Sequence, residues 1–177
     1  MMQSEEWVSQ EDEKCRNERV ARLNWLASIA PPNEGWIFHG ALITYYLFEE
    51  ARYSYVYGLF FATIVLGFAF IEHTLASLLY ASGRSDLERA NVSLLFKEAL
   101  RRGWLTKEDF DKLNQAKKIR NPVTHFRKPL DKDTIEFRSV ITNKSRYSII
   151  EKDARNVMEV VFHLLSKIAP SDGTDAD

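Results

Sequence analysis

The sequence predicts an all-α fold: an antiparallel bundle of five to six helices with a small irregular or hairpin insertion before the last one. Hydrophobic residues make up 45% and charged residues 28% of the 177, the balance of one globular domain rather than of a disordered chain. Seven Gly and five Pro are too few turn residues for a many-stranded sandwich or barrel, since average usage of the two together is roughly 12%. Apolar residues recur at helical spacing through most of the chain, and alternation is confined to a weak stretch from Thr134 to Ile141.

Residues 1–16 read as an acidic N-terminal segment, with Glu5, Glu6, Glu11, Asp12 and Glu13 and no base among residues 5–13, and 17–169 as the single domain. Residues 170–177, carrying Asp172, Asp175 and Asp177, read as a disordered acidic tail. From Asn17 the spacing of Val20, Leu23, Leu26 and Ala30 predicts a helix that Pro31-Pro32 must stop. A second, largely buried helix is expected from Trp36 to about Ala51. The 19 residues between Arg52 and Glu72 hold no charge, a length at which a membrane span must be weighed. Ser54, Tyr55, Tyr57, Thr63, Gly58 and Gly67, and the lack of flanking Lys/Arg clusters, favour instead a central core helix continuing to Ser82-Gly83. Ser85 with Glu88 predicts a capping box for a helix running to Gly103, and Thr106 with Asp109 a looser version for a helix through Phe110, Leu113 and Ile119. Periodicity fails between Lys128 and Tyr147, where a hairpin around Asn143-Lys144 fits. Ser148 with Glu151 then opens the last helix, whose Val157, Val160, Val161, Leu164 and Ile168 form an apolar stripe.

The lone Cys15 forbids an intrachain disulfide and a multi-cysteine metal site, and the acidic opening is no signal peptide, so a cytoplasmic protein is expected. No Gly-rich phosphate loop is present, which disfavours an ATPase or a dinucleotide enzyme. His39, His73 and His163 show no metal-ligand spacing and read as satisfied core or edge histidines; Trp36, Trp104, Tyr45 and Phe61 read as core.

A formal net charge of −1 gives no global attraction for nucleic acid, so an anionic partner must be held locally. Between Lys112 and Lys128 lie six Lys/Arg and no Asp or Glu. Within that segment Asn121 suits an N-cap and Pro122 a first helical position, predicting a helix end near Ile119 and a short new helix from Pro122. On one continuous helix Arg120 and His125 would point about 140° apart; a break frees Arg120 to approach His125. A helix N-terminus there would favour a phosphate. Arg for the phosphate and His for proton transfer is a minimal set for cutting a phosphodiester without metal.

Arg120-Asn121-Pro122-Val123-Thr124-His125, placed late in an all-helical domain of this size, resembles the Arg-x4-6-His motif of the HEPN superfamily, over roughly residues 36–168. The resemblance implies a metal-independent endoribonuclease with no cofactor, working as a homodimer whose two Arg/His pairs face one cleft. Such proteins are often toxins or phage-defence effectors, some silenced by an antitoxin or another regulatory protein, and some are inactive binding modules. It makes His125 the general acid or base, Arg120 the stabiliser of the phosphorane, Asn121 an orienting residue, and Glu72, at the end of the uncharged run, the acidic core-helix partner. Lys117, Lys118, Thr124, Arg127 and Lys128 would hold RNA. In the HEPN toxins paired with nucleotidyltransferase antitoxins a modifiable Tyr follows the His; here it is Phe126. The other class of reading is a non-catalytic dimeric helical module binding RNA, nucleotide or a protein partner through the Lys117–Lys128 segment. A plainer reading of the same residues has Arg120 and Asn121 close a helix and pair with a neighbouring carboxylate, with His125 a surface histidine. A membrane partner is not expected.

Overall fold

A computed structural model describes residues 4–30 and 36–168. Among these the chain is all-helical, with seven α-helices in place of the five to six expected and no strand. They are α1 (Ser4–Ile29), α2 (Ala41–Val56), α3 (Phe60–Ala81), α4 (Val92–Arg101), α5 (Lys107–Thr124), α6 (Ile135–Thr142) and α7 (Arg146–Ile168). Pro31-Pro32, Asn33 to Gly35 and the acidic tail after Pro170 lie outside the described residues.

α3 is the central element. It packs on α2, α4, α5 and α7, burying Ile64, Phe68, Phe70, Ile71, Leu75 and Leu79. Gly67 sets the closest approach to α7: a Cβ there would stand 2.8 Å from Val157 Cγ1. The helix is long and apolar enough to cross a membrane, yet half of its apolar window is buried inside the protein.

The expected single helix across the uncharged run is instead two. At Gly58 (φ +76°) the chain turns, with the Gly58 N–H donating to the Tyr55 carbonyl at 3.1 Å and the Leu59 N–H to Ser54 at 2.8 Å. This is the Schellman pattern that ends α2, and it folds α3 back along α2. The same pair of bonds ends α3 at Gly83 and α4 at Gly103, where the sequence expected stops.

Five other features differ from expectation. α1 begins at Ser4 rather than Asn17, because Glu5 and Glu6 suit a helix N-terminus and Asp12 holds Arg19 at 2.8 Å. Its buried residues are Arg22 and Leu26, whereas Val20 and Leu23 are exposed. α2 begins at Ala41 and not at Trp36. Ser85 opens only a 3₁₀ turn, Ser85–Leu87, and α4 starts at the N-cap Asn91, whose side chain accepts from the Leu94 N–H at 3.2 Å. The proposed hairpin is α6, capped by Thr134 and ended by Asn143 in the left-handed region (φ +51°). Weak alternation over eight residues was overridden by these two caps. α7 is capped by Ser145, not Ser148.

Candidate nucleic-acid site at the end of α5

α5 is fixed at both ends. At its start the Thr106/Asp109 capping box forms as expected. Asp109 is buried and also accepts from His163 Nε2 at 2.5 Å and Lys167 Nζ at 2.7 Å on α7. Burial pushes the Asp109 carboxyl up, but the bonds from Lys167, Thr106 and His163 outweigh it and hold the group well below the usual carboxylate range. Leu113, Ala116 and Ile119 then form the stripe by which α5 joins the core.

The expected break at Asn121-Pro122 is absent, and α5 runs on to Thr124 with Pro122 inside it. Pro122 withholds the N–H that would have reached the Lys118 carbonyl and crowds that carbonyl with its ring, a cost that the packing of Ile119 and Val123 against the core offsets. Asn121 is therefore not an N-cap; its carbonyl accepts from the His125 N–H at 3.0 Å. His125 is the C-cap, with extended backbone (φ −129°, ψ 133°). That single non-helical residue brings the pair together: Arg120 Nη1 lies 3.4 Å from His125 Nε2. The pair meets as expected, though from a helix C-terminus. A helix C-terminus offers a phosphate no backbone N–H groups, so side chains must supply all the attraction for an anion.

The Arg120 guanidinium lies over the Phe68 ring of α3, 5.0 Å from its centroid. Phe68 is itself fully buried and packed edge-on against Phe96, so the guanidinium rests on a rigid platform. Part-buried arginines elsewhere all hold a carboxylate: Arg19, Arg22, Arg52, Arg84, Arg102, Arg138 and Arg155. Among the described residues, Arg120 and Arg127 are the part-buried arginines without such a partner, and they flank His125.

The other expected residues are distributed unevenly. Glu72 is four residues from Phe68, so it stands one turn along the same face of α3, half-buried and without an ion pair or hydrogen bond to Arg120 or His125. Lys117 is tied to the Ser93 hydroxyl of α4. Lys118, Thr124 and Lys128 are exposed; the Thr124 hydroxyl donates to the Arg120 carbonyl at 3.3 Å. Sequence reasoning placed Tyr45, Phe61 and Trp104 in the core, yet all three are partly open to solvent, and Phe126, at 86%, is the most exposed aromatic residue beside the pair. It also missed a groove of about 290 Å³ that opens beside Phe126, between the end of α5 and the starts of α6 and α7. Only the apolar residues at Ile119, Val123 and Ile135 hinted at it.

Compared with known proteins, the chain matches no family model, no curated protein and no solved structure.

Proposed function

We propose that the protein is a metal-independent endoribonuclease of the HEPN type, acting at Arg120 and His125. The observation that carries the reading is a histidine at a helix end, 3.4 Å from a guanidinium that has no carboxylate partner, on an exposed surface. Structural arginines in this chain are neutralised; this one is left with charge to give to something outside it.

The chemistry follows from the geometry. RNA supplies its own nucleophile, so the site needs a proton acceptor and a charge donor. His125 takes the proton from the ribose 2′-hydroxyl, and the 2′-oxygen attacks the adjacent phosphorus. Arg120, held flat on Phe68, donates to the non-bridging oxygens as charge builds on the phosphorane. A protonated imidazole returns a proton to the departing 5′-oxygen. The products are a 2′,3′-cyclic phosphate and a 5′-hydroxyl. A single His125 cannot be base and acid in one step, which favours a homodimer supplying the second imidazole. Leu42, Tyr46, Tyr53 and Val65 leave apolar surface on α2 and α3 that such a dimer would cover. The resemblance further suggests a toxin or defence effector.

Incubation of the purified chain with total RNA in EDTA tests this. Cleavage with 2′,3′-cyclic ends supports it; cleavage that needs magnesium, or RNA binding without cleavage, replaces it with metal chemistry or with the binding module.

A further inference from the structure

The groove at the end of α5, lined by Phe126 and Arg127 but not by Arg120 or His125, has an apolar floor, in which Ile119 and Ile150 are buried and Val123 and Ile135 half-buried. Most of its polar groups are already satisfied. Arg138 and Asp153 form a bidentate pair at 2.6 and 2.8 Å. The Thr134 hydroxyl donates to the Asp131 carbonyl at 2.7 Å and caps α6. Two lining groups are not: the Arg127 guanidinium and the Glu136 carboxylate carry no ion pair or hydrogen bond, although they have opposite charge and share one groove. At the mouth stands the exposed Phe126 ring, next in sequence to His125.

From this arrangement we infer that the groove is a base-binding subsite selective for guanine in a bound RNA strand; the inference rests on RNA being the substrate. A flat aromatic face at the mouth suits stacking of a nucleobase. A donor-only guanidinium and an acceptor-only carboxylate that do not meet call for a ligand with two acceptors on one edge and two donors on the next. Guanine has both: O6 and N7 for Arg127, and N1–H with the N2 amino group for Glu136. Adenine presents a lone pair at N1 to the carboxylate, and uracil flanks its one N–H with two carbonyls, so each leaves a charged group repelled or unpaired. The groove is near the lower end of ligand-pocket volumes, which fits one base rather than a larger cofactor.

The test uses the full chain and uncleavable RNA hexamers, 2′-fluoro throughout, of uridine with one internal position varied among the four bases. Affinity is read by fluorescence anisotropy. The wild type should bind the guanine hexamer roughly tenfold more tightly than the adenine one, the discrimination of a good bidentate contact. Glu136→Gln should abolish that preference, and Phe126→Ala should weaken all four hexamers about equally, by a similar factor. Glu136 is exposed at the start of α6, so its substitution leaves the fold in place, and a purely helix-capping role would leave base preference untouched. Equal binding of all four bases, no binding of any, or a guanine preference that survives Glu136→Gln would overturn the inference. Because no bond is cut, a negative result leaves the cleavage reading standing, and a guanine preference in a chain that cuts no RNA would defeat that reading alone.

Discussion

Arg120→Ala separates activity from folding in numbers the structure supplies. Removing the guanidinium deletes one stack on Phe68 at 5.0 Å and one 3.4 Å contact with His125, and breaks no ion pair. An exposed cation–π contact contributes about 0.5–1 kcal/mol. A chain of this size loses roughly 2–4 °C of Tm per kcal/mol, so the fall should stay under about 4 °C. On the proposed mechanism the same side chain would face the phosphorane, where loss of one charge-stabilising donor costs about 2.7–4 kcal/mol, a 10²–10³-fold drop in rate. Arg120→Lys should be nearly as damaging to cleavage, because an ammonium keeps the charge without the fork or the flat stack. The assay is single-turnover cleavage of an end-labelled RNA, beside thermal unfolding of each variant. Wild-type cleavage by Arg120→Ala, or a loss of rate matched by loss of folded protein, would refute the reasoning.

Three further outcomes are expected. Gly67→Val should destabilise by about 1–3 kcal/mol in chemical denaturation even though valine is the better helix former, since the gap to Val157 is already closed to a Cβ. The Asp109 carboxyl is held below its unfolded value, so its contribution is complete above about pH 4 and is lost as pH falls further. Asp109→Asn should therefore lower Tm at pH 7 by a few degrees and flatten the acid limb of the stability curve; an unchanged acid limb would remove Asp109 as the cause. Lys118→Ala should weaken RNA binding modestly and reduce its salt slope by about 1, as a free phosphate contact would, while Lys117→Ala, with its ammonium tied to Ser93, should alter the slope less and the melting temperature more.

How far the fold could be read depended on whether a boundary was set by local chemistry or by tertiary contact. Gly83, Gly103 and the Thr106/Asp109 box ended or began helices where their own side chains demanded. Gly58 did the same, but nothing charged flanked it, and the apolar run concealed a turn made by one residue at positive φ. Val20 and Leu23 face solvent because α1 meets α2 through Arg22 and Leu26; the salt bridges and cation–π contacts of Arg22 with Glu18, Glu151 and Phe60 leave no hydrophobic period to read. At the site, the residue pair was legible and its geometry was not. Asn-Pro signalled a break after Ile119, yet the packing of Ile119 and Val123 against the core outweighed the cost of the proline and carried α5 through it. Which arginines lacked partners could be seen only once every carboxylate had been placed.

The groups assigned to chemistry occupy a short stretch around one helix end, and none of them holds the bundle together: Arg120 and Arg127 bind no carboxylate, and His125 merely follows the last turn. A single amino-acid replacement there can silence the molecule while every helix stays in place. If the chain forms the proposed homodimer and each scissile site draws an imidazole from both copies, such a silenced subunit poisons its active partner. Mixed expression of His125→Ala with wild type should then lower activity faster than the mole fraction of active chains.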